Sequence, residues 1–176
     1  MTIRPRVYLA GPDVFRPDAV EHLQALARSC EVLGLEPLIP SDSGAAAAGL
    51  KGADLAQAIY EVMSLLAKAD GVVANLTPFR GAEPDSGTVF EIGVAHALGK
   101  PVVAYGVEGN YANRVKALLP VVRDATGALR DAAGLEVEDY GRPVNLMLAC
   151  SVKIETNAAE ALAAVAHILR VKKSEH

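Results

Sequence analysis

Short apolar runs that alternate with segments of helical spacing constrain this chain more than any other feature. Val7-Tyr8-Leu9-Ala10 stops at Gly11-Pro12 and reads as a buried strand followed by a turn. From Pro17 the apolar positions shift to Val20, Leu23, Ala27 and Cys30, a helical period with Gly34 as its left-handed stop. Residues 35–39 read as a second strand, and residues 41–52 as a loop of small residues. Leu55, Ile59, Val62 and Leu66 then mark another amphipathic helix. A third strand at 71–76, a helix running to Leu98 and stopped at Gly99, and a fourth strand at 101–105 continue the alternation. Residues 106–157 are less regular: a helix is expected near Arg114–Leu119, then a polar stretch, then VNLMLACSVKI without a firm assignment. Leu162, Val165, Ala166 and Leu169 define a last helix. Strands joined through helices of that length need crossover connections. The sheet is therefore expected to be parallel, open and covered on both faces.

Composition narrows the function. With 176 residues, 51% of them hydrophobic, the chain can bury one ordinary core, and a single domain over 1–176 is expected. The net charge is −4 and the longest basic run is Lys172-Lys173, so no positive stripe is available to bind nucleic acid. No window approaches a membrane span, and no apolar stretch follows a basic start, so a soluble cytoplasmic protein is expected. Cys30 and Cys150 lie within apolar patterns and read as reduced core residues. The four histidines lack metal-ligand spacing, so no metal site is expected. Gly11-Pro12-Asp13 matches neither the dinucleotide fingerprint nor the P-loop.

Ligands of open parallel sheets bind beyond the carboxyl ends of the strands. That rule selects the loops Gly11–Arg16 and Thr77–Thr88 and the segment after Tyr105. The stretch AEPDSGTVFEIG (82–93) lies in the second of these. Thr88 and Glu91 have the spacing of a capping box, and Asp85 or Ser86 can cap the same helix, so capping alone could account for these residues. A carboxylate near a helix start is also favoured in its ionised form, as a nucleophile requires. Tyr8 reads either as a core aromatic or as a hydroxyl that orients a carboxylate at a neighbouring strand end. Phe79-Arg80 reads as a solvated pair or as a platform for a planar base.

Three segments, YLAGPDVF (8–15), ADGVVANLTPFRGAEPDSGTVFEIGVAHALGKPV (69–102) and DYGRPVNLML (139–148), resemble the nucleoside 2-deoxyribosyltransferase family in content and order. The resemblance implies a flavodoxin-like (Rossmann-like) sheet of about five strands and a homo-oligomer with shared active sites. It implies exchange of purine or pyrimidine bases between a deoxynucleoside and a free nucleobase, without a cofactor. By the same resemblance Glu91 is the nucleophile, Asp85 assists protonation of the base and Tyr8 positions Glu91. Gly11, Phe15, Asn75, Phe79, Arg80 and Gly87 surround the substrate, while Asn145 and Met147 reach into a neighbouring subunit's site. One position departs from the family: where relatives carry a sugar-binding Asp or Asn this chain has Val62, and the adjacent Glu61 is the candidate replacement. Two rival readings are an N-glycoside hydrolase of nucleosides or nucleoside 5′-monophosphates, and a non-catalytic nucleotide-binding module on the same fold.

Overall fold

The computed structural model describes residues 4–40, 49–61 and 63–174. Along the chain run β1 (Arg6–Ala10), α1 (Ala19–Val32), β2 (Glu36–Leu38), α2 (Gly52–Glu61), α3 (Met63–Lys68), β3 (Gly71–Asn75) and α4 (Ser86–Ala97). They are followed by β4 (Val102–Tyr105), α5 (Tyr111–Leu118), β5 (Val121–Arg123), β6 (Leu129–Asp131), α6 (Leu146–Ser151), β7 (Lys153–Ile154) and α7 (Ala158–Ser174). A 3-10 turn, Pro12–Phe15, separates β1 from α1. The main sheet has five parallel strands in the order β2-β1-β3-β4-β7, a flavodoxin-like arrangement. After β1 the chain moves outward to β2 and then returns to β3 on the other side. The crevice created by that reversal lies over the carboxyl ends of β1 and β3.

Alternation along the strands divides the core. Val7, Leu9, Val73 and Val103 pack with Cys30 of α1 and with Leu162, Val165 and Ala166 of α7. Tyr8, Ala10, Val72 and Ala74 point to the opposite face, against Leu66 of α3, Ile92 and Ala95 of α4, and Leu148 of α6. Tyr8 is 1% exposed, so its ring belongs to the core and only its hydroxyl has a polar destination. A smaller apolar cluster of Ala112, Val115, Leu129 and Val137 joins α5 to the antiparallel β5–β6 pair and packs against Ala82. Among the described residues, no helix is long and apolar enough to cross a membrane.

The four strands read from apolar runs occur where expected, β1 starting one residue earlier, at Arg6, and the other three each shortened by one or two residues. The stretch VNLMLACSVKI contains both α6 and β7, the fifth strand of the sheet. Its two residues are too few to show periodicity, and β5–β6 is likewise hidden in a polar segment. The helix expected around Leu55–Leu66 occurs as α2 and α3. Most of the loop expected at 41–52 lies outside the described residues. Cys30 is buried as expected, but Cys150 is exposed. The reason is geometric: α6 buries Leu148, and two positions further on a helix points the other way.

Gly106, which follows β4, tests how closely the strand-end loops approach one another. Its φ is +87°, and a Cβ there would lie 2.5 Å from Asn75 Oδ1 and 2.6 Å from Thr77 Oγ1. Gly109, at φ +71°, has nothing within 4 Å of such a Cβ. Gly109→Ala is expected to lose about 1–2 kcal/mol, the cost of a left-handed residue. Gly106→Ala should lose roughly 3 kcal/mol or more, since the clash adds to that cost. Thermal denaturation of both variants measures the difference, and equal losses would contradict the close packing of these loops.

Candidate active site

Above the β1–β3 reversal lies a cleft of about 290 Å³ lined by Tyr8, Gly11, Val14, Phe15, Pro40, Ile59, Met63, Asp85, Gly87, Thr88 and Glu91. Gly11 is required by close approach: a Cβ there would meet Asn75 Cβ and Asp13 Oδ2, both at 2.8 Å. The polar groups of the lining come from β1 and the start of α4, whereas the opposite wall is apolar. Deep in the cleft the Tyr8 hydroxyl donates to Glu91 Oε1 at 2.5 Å. β1 and α4 thus meet through the one polar atom that Tyr8 carries out of the core.

Asp85 is the N-cap of α4, its Oδ2 accepting from Thr88 N at 2.9 Å and from Thr88 Oγ1 at 3.0 Å. This corrects the capping-box reading. Glu91 does not return to the helix start, because Asp85 already caps it and Glu91 lies six residues further on, in the second turn. Helix-dipole effects fade beyond the first turn, so burial governs Glu91 instead. Burial raises its pKa above the ordinary carboxylate value; the Tyr8 hydrogen bond opposes that rise, and the nearby Asp85 charge adds to it. Burial also raises the pKa of Tyr8, with the Glu91 charge adding, so Tyr8 remains a proton donor to the carboxylate.

Phe15, on the cleft lining, stacks with Phe79 outside it, ring centroids 5.3 Å apart, and the Arg80 guanidinium carbon, likewise outside the lining, is 4.5 Å from the Phe79 centroid. Arg80 is exposed and holds φ +57°, so an unusual backbone conformation turns its flat cation onto the rings. Asn75 does not reach the cleft. It is 8% exposed, its Nδ2 donates to both oxygens of buried Asp13, and its Oδ1 accepts from Thr77 N and Oγ1. Its observed partners all belong to the loops that shape the cleft. Gly87 sits where a Cβ would meet Asp85 Oδ2 at 3.0 Å, so the carboxylate lies flat across the helix start.

Three other sequence candidates lie elsewhere. Glu61 is exposed and accepts from Gln57 at 3.4 Å; this helical region contributes Ile59 and Met63 to the cleft instead. Val62, the departing position, lies outside the described residues. Asn145 caps α6 by accepting from Leu148 N at 3.1 Å, and Met147 is 79% exposed; neither lines this chain's own cleft. The sequence reading missed the role of Thr88 in holding Asp85, the buried Asp13, and the apolar wall of Val14, Pro40, Ile59 and Met63. Thr88 carried a signal in its capping spacing. Ile59 showed only the period common to any buried helix face.

Comparison with known proteins gives a consistent result. A family model described as nucleoside 2-deoxyribosyltransferase matches residues 7–147. An uncharacterized protein of Schizosaccharomyces pombe is 34% identical over 157 residues, 81% of this chain and 74% of its own. Among solved structures, a 2-deoxyribosyltransferase from Leishmania mexicana is 30% identical with a TM-score of 0.69, covering 93% of this chain and 97% of that one. A conserved protein from Enterococcus faecalis shares the fold at 22% identity and a TM-score of 0.55, over 93% of this chain and 98% of its own.

The partial burial of Glu91 makes a stability prediction. A carboxyl group with a raised folded-state pKa lets the folded protein hold its proton more tightly than the unfolded chain. Stability from this group is therefore full below the ordinary carboxylate pKa and falls as pH rises through the raised value. Glu91→Gln keeps an acceptor for Tyr8 and removes the charge. Its Tm at pH 7 is expected to equal or exceed that of the unmodified protein, with the gap closing in acid. A clearly lower Tm at pH 7 would show that the ionised carboxylate stabilises the fold.

Proposed function

Because the chain belongs to the nucleoside 2-deoxyribosyltransferase family, we propose that it exchanges purine and pyrimidine bases on 2′-deoxyribose with Glu91 as the nucleophile. The observation that carries this reading is a half-buried carboxylate held by a tyrosine hydroxyl in a cleft that a second carboxyl group also lines. Cleavage of an N-glycosidic bond passes through a state with positive charge on the sugar. A carboxylate close to C1′ stabilises that charge and then bonds to the carbon.

In the first half-reaction a Glu91 oxygen forms a bond to C1′ as the C1′–N bond breaks. The bonding pair leaves with the base, which receives a proton from Asp85. The product is a deoxyribosyl ester on Glu91 and a neutral free base. A second base then attacks C1′, the ester C–O bond breaks, and the proton of the incoming nitrogen passes to Asp85. Both residues return to their starting states. Fixing one Glu91 oxygen with the Tyr8 hydroxyl leaves the other free to react. The stacked Phe15, Phe79 and Arg80 supply a flat surface suited to a planar base. Among the described residues lining the cleft there is no Lys or Arg to neutralise a phosphate, which favours nucleosides over nucleoside 5′-monophosphates. We further propose a homo-oligomer in which Asn145 and Met147 complete a neighbouring copy's site. Their position outside this chain's own cleft, with Met147 exposed, supports that arrangement.

Incubation with deoxyinosine and free adenine tests the reaction. Formation of deoxyadenosine and hypoxanthine is expected; hypoxanthine alone would indicate hydrolysis, and unchanged substrate a binding module. Glu91→Ala is expected to lower the rate by roughly 10⁴-fold, and retained activity would remove this mechanism. The nucleophile must be ionised and its pKa is raised, so activity should fall in acid above the ordinary carboxylate range. Tyr8→Phe removes the hydrogen bond that lowers that pKa. The acid limb of its pH–rate profile is expected to move to higher pH, and an unchanged limb would separate Tyr8 from the ionisation of Glu91.

A further inference from the structure

The loop that carries Asp85 is held from both sides. On its helical side Asp85 caps α4 through Thr88. On its other side Ala82 and Glu83 are gripped by α5, which contributes no residue to the cleft lining. Arg114 Nε donates to the Ala82 carbonyl at 2.9 Å, Nη1 to the Glu108 carbonyl at 3.4 Å, and Nη2 to the Pro143 carbonyl. One guanidinium therefore joins three backbone segments distant in sequence. Val144, beside the Pro143 anchor, is 1% exposed and packs in the main core. Pro84, between the gripped segment and Asp85, is also buried.

Tyr111 reinforces the grip. Its hydroxyl donates to Glu83 Oε1, its ring centroid lies 5.9 Å from the Arg114 guanidinium carbon, and its backbone N–H donates to the Arg142 carbonyl at 2.7 Å. Burial, aided by Glu83, pushes its hydroxyl pKa up to about 12, so it keeps the proton it donates. Arg114 itself makes no ion pair with a carboxylate among the described residues. Its charge is directed at carbonyl oxygens, a use that suits a planar fork of five donors and not the compact ammonium of lysine.

We propose that Arg114 is a positioning residue for Asp85, tying the loop before it to the core-anchored Pro143–Val144 segment so that the carboxyl group meets the departing base. This inference rests on the function proposed above, in which Asp85 moves the proton. The effect of losing Arg114 should therefore depend on how much the leaving base needs that proton. Hypoxanthine leaving deoxyinosine needs it. A base that is already cationic, as in N7-methyl-2′-deoxyguanosine, leaves neutral and needs no acid.

The test compares the single-turnover rate of base release, before any acceptor is added, on these two substrates for the unmodified protein, Arg114→Met, Arg114→Lys and Tyr111→Phe, with later addition of adenine to establish transfer by the unmodified protein and thermal melting to establish folding. Arg114→Met is expected to lose about tenfold or more on deoxyinosine and to stay within about threefold on the N7-methylated nucleoside, with Tyr111→Phe shifted in the same direction by less. Arg114→Lys should recover only part of the loss. Should Arg114→Met fail to fold, the two milder variants carry the same comparison. Equal losses on both substrates, or no loss on either, would overturn the positioning role while the unmodified protein remained a working transferase. An unmodified protein inert on both substrates would overturn the proposed reaction and this inference together.

Discussion

The hydrogen bond from Tyr8 to Glu91 is the contact on which the site depends. It joins the inner strand β1 to helix α4, the two elements that carry the cleft's polar lining. Burial raises the pKa of Glu91, and the Tyr8 hydrogen bond, which favours the ionised carboxylate, opposes that rise. The tyrosine can serve this purpose because its ring is part of the main core and cannot swing away. Placement in the fold therefore shifts the ionisation of Glu91. Strand alternation puts Tyr8 on the α4 face, and helical periodicity turns Glu91 back toward it.

Around that contact, the strand ends are shaped by polar groups that satisfy one another. Asn75 donates to Asp13 and accepts from Thr77, while glycines at 11 and 106 permit the backbone to come within contact distance of that network. Such networks are costly when incomplete and rigid when satisfied. The 3-10 turn that presents Val14 and Phe15 to the cleft is held in this way. Asp85 combines two tasks that are often separate: it terminates a helix and faces the cleft. Capping restricts its rotamer, so the carboxyl group faces the cleft in one orientation.

Much of the architecture was legible because buried parallel strands leave continuous apolar runs, as in Val7–Ala10 and Val72–Ala74. The fifth strand was not, because Lys153-Ile154 is too short to carry a period and its place is set by pairing with Val103 and Ala104. Cys150 was misjudged for a related reason, since an apolar neighbourhood in sequence does not fix which side of a six-residue helix faces the core. In the site, Glu91, Asp85 and Tyr8 could be named from residue type and position, but the source of Glu91's ionisation behaviour could not. Spacing suggested the helix dipole, whereas three-dimensional burial dominates. Asn75 was grouped with the cleft residues because it ends a strand, yet its side chain is consumed by Asp13 and Thr77. The link from Arg114 to Ala82 and Pro143 spans segments about thirty residues apart and leaves no local pattern.

Trapping the reaction halfway tests the central claim most directly. An electron-withdrawing fluorine at C2′ of an arabino-configured deoxynucleoside slows both half-reactions, and in the absence of acceptor base the ester should accumulate. Intact-mass and peptide analysis are then expected to show one fluorinated sugar per chain, attached at Glu91 and absent from Glu91→Gln. A base released with no adduct, or an adduct on another residue, would contradict the account of Glu91 as the group that bonds to the sugar.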